Sequence, residues 1–97
     1  MGMSFEEALE KIRKQFPEHF VTKGYTFKGK HVFVVLNKDY QKLHSNQACQ
    51  FAVNDDGKVV VFDWGEAASN SKEFKDARES AIEIDKVDMT KMPGIWD

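Results

Sequence analysis

Few residues in this chain are of types that do chemistry. There are three histidines, His19, His31 and His44, and one cysteine, Cys49. A metal site legible in sequence needs ligands at short, regular spacing. None of these residues has such a neighbour. Cys49 follows His44 by five residues. A nucleophilic thiolate needs an imidazole within hydrogen-bond reach and a setting that lowers the thiol pKa. Cys49 instead alternates with Phe51 and Val53, so a buried, inert thiol is expected, because apolar surroundings favour the neutral form. Asp63 and Glu66 flank Trp64 and Gly65, where paired carboxylates could work as acid and base if their environments separated their pKa values. A solvated lead into a helix is the plainer reading. Asp55 and Asp56 belong to a turn and should bind their own backbone. Asn54-Asp55-Asp56 is too short a series for a calcium loop. Gly24 and Gly29 lack the spacing of a phosphate-binding loop and are read as turn glycines. No catalytic residue, cofactor site or metal site is assigned.

Binding chemistry is better represented. Lys23, Lys28, Lys30, Lys38 and Lys42 are interleaved with Tyr25, Phe27, Phe33 and Tyr40. Lysines neutralise phosphates and exposed rings stack on bases, so this segment is a candidate nucleic-acid surface. Against it, arginine, the preferred residue for bidentate phosphate contacts, occurs only at Arg13 and Arg78. Lysines also have a plain role in blocking edge-to-edge strand pairing. Tyr40, Trp64 and Trp96, with Met92, are candidate protein contacts, since aromatic residues and Met are enriched at interfaces. The lysines from Lys28 to Lys42, or the acids from Asp85 to Asp88, would form the rim.

The bulk numbers fit one small domain spanning 1–97. Hydrophobic residues make up 41% and charged residues 31%, an ordinary globular balance over 97 residues. The net charge of −2 gives no steer toward nucleic acid or membrane. Its distribution is uneven. Residues 22–44 hold five lysines against Asp39, whereas residues 54–97 hold eleven acids against six bases. A lone cysteine excludes an intrachain disulfide and suits a reducing compartment. Charged sequence begins at once, with no secretory signal and no apolar run of membrane-spanning length. A cytoplasmic location and no membrane partner are expected. Met1-Gly2 ahead of Met3 reads as a cloning remnant.

The elements that must position these residues follow from periodicity. Phe5, Leu9, Ile12 and Phe16 predict an amphipathic helix, capped by Ser4 and Glu7 in a capping box. Pro17 should end it, with one further turn over Glu18 to Val21 before Gly24. Tyr25 to Phe27 has strand chemistry, and Lys28-Gly29-Lys30 a tight turn. His31 to Asn37 is apolar on both faces, which suits a central strand covered on both sides, or on one side with the second face used elsewhere. Gln47 to Val53 and Lys58 to Asp63 predict a hairpin about Asp56-Gly57. A second helix should be capped by Asn70 and Glu73, with Phe74, Ala77, Ala81 and Ile84 as its stripe. The tail carries Val87, Met89, Met92, Ile95 and Trp96, and should close the core or form an edge.

The expected fold is therefore α+β. It has an N-terminal helix, an antiparallel meander of three or four strands, a C-terminal helix on one face, and an apolar tail packing back or forming an edge element. Two helices on a single sheet face are the simplest way to bury both stripes. The order alone is similar to that of double-stranded-RNA-binding domains. Their basic cluster is replaced here by Ser71-Lys72-Glu73-Phe74-Lys75-Asp76, two lysines offset by two acids, and no family is assigned. The function expected is that of a non-enzymatic binding domain acting through protein contact, as an adaptor, an inhibitor-like protein or an assembly subunit. The partner would be another protein or a second copy. Nucleic-acid binding through 23–44 is the alternative.

Overall fold

The computed structural model describes residues 3–38 and 49–86. The element order is α1 (Phe5–Gln15), β1 (His19–Phe27), β2 (Lys30–Asn37), β3 (Cys49–Val53), β4 (Val59–Val61), α2 (Trp64–Ser69), α3 (Ser71–Glu79) and β5 (Ile82–Glu83). The strands form one antiparallel sheet in the order β4-β3-β2-β1-β5. This is the α+β architecture expected, with one more strand.

Local chemistry explains the starts and turns. The Ser4 side chain accepts from the Glu7 N–H, and the Glu7 carboxylate accepts from the Ser4 N–H. The β1–β2 turn places both Lys28 and Gly29 at positive φ, 54° and 76°. That pair of angles matches the right-handed twist of the strands it joins. Gly57 closes the β3–β4 turn at φ 85° and donates to the Asn54 carbonyl at 2.8 Å. Asp56 accepts from the Lys58 N–H at 3.0 Å, the self-bonding expected of a turn aspartate.

The helices lie on opposite faces of the sheet, not together on one. Ala8 and Ile12 of α1 pack with Val21, Phe33, Val35 and Val53. Ala67 of α2, with Phe74 and Ala77 of α3, packs against Tyr25, Phe27, Val32, Ala52 and Phe62. The apolar run in β2 explains the arrangement: Val32 to Leu36 are all buried, with alternate residues feeding each layer.

Four local expectations are corrected. Glu18 to Val21 is not a helical turn, because β1 begins at His19 and runs past Gly24, with a shift in register between Val21 and Lys23. Gly24 is a close-approach glycine rather than a stop: a Cβ there would sit 2.7 Å from Phe5 and 3.0 Å from the buried Phe33 ring. Asn70 makes no cap bond and instead donates to the Glu66 carbonyl, because the six residues before it already form α2. Ile84 packs in the α1 layer, away from Phe74, because the chain crosses the sheet edge at β5.

Candidate functional site

The two edges of the sheet are built differently, and that difference singles out a candidate interface. At the β1 side, β5 pairs through Lys23–Glu83 and Gly24–Ile82. The Ile84 and Asp85 N–H groups then donate to the Thr22 and Val21 carbonyls at 2.9 and 2.8 Å. The Asp85 carboxylate accepts from both Arg13 terminal nitrogens, at 2.9 and 3.1 Å, and from the Val21 N–H at 2.8 Å. The Arg13 hydrogen bonds hold Asp85 below the usual carboxylate range, helped by the Val21 N–H and opposed by burial. Asp85 therefore pins the chain to the sheet; it is not a rim acid.

At the other side, β4 is the terminal strand. Asn54 donates to the Lys58 carbonyl and Phe62 to the Gln50 carbonyl, at 2.9 and 3.1 Å. Antiparallel ladders alternate, so the intervening pairs Val53–Val59 and Phe51–Val61 are the non-hydrogen-bonded ones. The N–H and C=O groups of Val59 and Val61 therefore point outward from the sheet. Val59 and Val60 are half-buried, packed against the α1 and α3 layers respectively. Val61 is 73% exposed, and alternation puts it on the α1 side with Val59.

Trp64 is a second exposed apolar residue near this edge, on the α3 side of the sheet. Asp63 caps α2 by accepting from the Glu66 N–H at 3.1 Å, which fixes Trp64 at the first helical position. The indole stands edge-on to Phe62 and Phe74, with centroids at 4.8 and 6.0 Å. Trp64 still leaves 56% of its surface in solvent. Asp63 serves here as a helix cap, the bland role weighed for it in sequence.

The lysines of the basic segment are not brought together. Lys28 and Lys30 sit at the β1–β2 turn, whereas Lys38 follows the far end of β2. The intervening strand of eight residues spans about 26 Å. Lys28 pairs with Glu73 at 3.2 Å, and Lys38 lies over the Phe20 ring at 5.9 Å. Lys23 lines a cleft with Phe74, Lys75, Arg78 and Glu79. Lys42, Tyr40, Met92 and Trp96 lie outside the described residues, as does His44.

The described aromatic residues of the basic segment, Tyr25, Phe27 and Phe33, are core rather than display. Phe27 and Phe33 are buried. Tyr25 is buried too, and its hydroxyl donates to Gln50; burial raises its pKa, with Arg78 opposing. Cys49 is exposed, which corrects the expectation of a buried thiol. Its partner in register is Val35, so it shares the α1 face, but it lies beyond the part of that face that Phe16 covers through Phe51. Among the described residues no three His, Cys, Asp or Glu side chains converge as metal ligands. No helix among them is long and apolar enough to cross a membrane.

Sequence reasoning named Trp64, which is exposed, but not Val61 or the outward backbone beside it. The signal was present in Val59-Val60-Val61, three β-branched residues without an interrupting charge or proline. Its meaning depended on strand order, which the sequence does not display. Comparison with protein-family models, with curated proteins and with solved structures found no match.

Proposed function

We propose that this chain is a small, non-enzymatic binding domain that acts through protein contact at the β4–α2 corner. The partner is another protein or a second copy, met in a cytoplasmic setting. The observation that supports this most is the β4 edge, which no other strand among the described residues pairs, with exposed Val61 and Trp64 near its outward backbone groups. Large exposed apolar side chains next to unpaired strand polarity favour docking by an extended chain. The dispersal of Lys28, Lys30 and Lys38 weighs against nucleic acid as the partner.

The test is photo-crosslinking in cells expressing the chain, with a photoreactive residue in place of Val61 or Trp64. Protein adducts are expected from both positions and not from exposed Lys14 on α1. Equal adducts from all three positions would contradict the assignment. Amide shifts on adding short nucleic acids, centred on Lys28 and Lys30 and fading with salt, would replace it with the nucleic-acid alternative.

A further inference from the structure

We propose that the occupant of the β4 edge is the β4 edge of a second copy, paired antiparallel about a two-fold axis through Val60. This rests on the docking assignment above and specifies its partner. Three features of the strand fit a self-partner better than an unrelated one.

The first is hydrogen-bond parity. Only Val59 and Val61 turn their N–H and C=O groups outward, so an added antiparallel strand must match outward residues with outward residues. Pairing Val59 with Val61 of the second copy does so twice. It creates four backbone hydrogen bonds and joins two five-stranded sheets into one of ten.

The second is side-chain symmetry. Val59-Val60-Val61 reads the same in both directions, so reversal sets valine against valine at all three positions. The exposed Val61 then packs on the half-buried Val59 of the second copy. Directly opposed β-branched residues are a favourable cross-strand pair.

The third is charge. Lys58 precedes the valines and Asp63 follows them, both exposed. In the two-fold register Lys58 lies opposite Phe62 of the second copy, one residue from its Asp63. Antiparallel reversal thus brings the cationic end of each strand to the anionic end of the other. Asp63 can take this role while capping α2, since the cap uses only one carboxylate oxygen, Oδ1. A second copy supplies this charge order by symmetry.

The experiment is sedimentation equilibrium of the full chain from about 10 µM to about 1 mM, a range that brackets a weak interface. Wild type is expected to show a monomer–dimer equilibrium that weakens with added salt. Val61→Lys places a charge at the seam and should raise the dissociation constant at least tenfold. Its amide spectrum should remain that of the folded domain, because the native side chain is mostly in solvent. Lys58→Glu sets like charges together and should weaken the dimer by a smaller factor. Mixed-label NMR should show contacts between Val59 of one copy and Val61 of the other. A wild type that stays monomeric throughout overturns self-pairing, as does a Val61→Lys dimer of unchanged affinity. Either result leaves docking of a different protein at this corner standing, and that assignment falls only to the crosslinking result named for it.

Discussion

The β5 edge and the β4 edge end the same sheet in opposite ways. At β5 the terminal strand is two residues long and is followed at once by an anchoring ion pair. Two paired residues suffice because Asp85 then binds Arg13 of α1 and the Val21 N–H together, tying strand, helix and tail into one knot. At β4 the chain turns away into α2 after three valines and leaves the outer backbone groups directed outward. The two edges also differ in what is exposed. Ile82 at β5 is 57% exposed, but it follows directly from α3 and is flanked by Glu83. Val61 is exposed within an uncharged strand and beside Trp64. A short edge strand is a hazard unless it is blocked, covered or used. One edge here is a very short strand anchored by an ion pair, and the other has the features of use.

The largest expected effect tests how tightly the closed side is built. Gly24→Ala puts a methyl group against Phe33, which is fully buried and has no room to give. A loss of about 1–3 kcal/mol is expected from overpacking. Chemical denaturation measures it, and an unchanged midpoint would show that the β1 edge is looser than described.

Asp85→Ala should come next. It removes the acceptor for Arg13 and for the Val21 N–H, and a loss of about 1–2 kcal/mol is expected. That is the lower part of the range for charged hydrogen bonds, because Arg13 is half exposed and solvent screens the pair. Arg13→Ala should cost less, since the Val21 bond survives. If the two variants cost the same, the backbone contact adds nothing.

Acid should weaken this edge. The folded Asp85 carboxyl titrates below its ordinary value of 3.8. Its contribution is therefore fully present above the unfolded value and disappears as pH falls through the lower folded one. The advantage of wild type over Asp85→Asn in thermal midpoint should be constant near neutrality and shrink below about pH 4. An advantage that grows with acid would reverse the assignment.

The smallest effect on stability belongs to the open edge. Val61→Lys should leave the midpoint within about 0.5 kcal/mol, as expected for an exposed position. A larger loss would mean that Val61 supports the fold, and the contrast between the edges would weaken.

Much of the architecture was legible in the residues. Ser4 and Glu7 gave the start of α1, and Asp56-Gly57 located the β3–β4 turn. The apolar run Val32 to Leu36 announced a central strand and left open whether both of its faces are covered. The helices could not decide this, because amphipathic stripes alone do not say which face they meet. The length of β1 was hidden by Glu18, Lys23 and Gly24, whose chemistry resembles a loop until Phe5 is seen packing against the glycine. The six residues of α2 are too few for a helical period to show, and the two of β5 too few for alternation. Of the candidate site, Trp64 was legible from its type and place. The open edge was not, because whether Val59 to Val61 lie inside or outside the sheet is decided by strand order. Asp85 was misread for the same reason: its partners, Arg13 and Val21, are 72 and 64 residues away.

The most direct test is amide hydrogen exchange at the two edges, read residue by residue at low and high protein concentration. Exchange reports local opening and backbone pairing. At low concentration the Ile84 and Asp85 amides should be protected, while those of Val59 and Val61 exchange quickly. At high concentration Val59 and Val61 should slow, and Ile84 and Asp85 should not change. Val59 and Val61 amides as protected at dilution as those of Ile84 and Asp85 would mean that β4 is not an open edge, and the contrast on which the docking proposal stands would be gone.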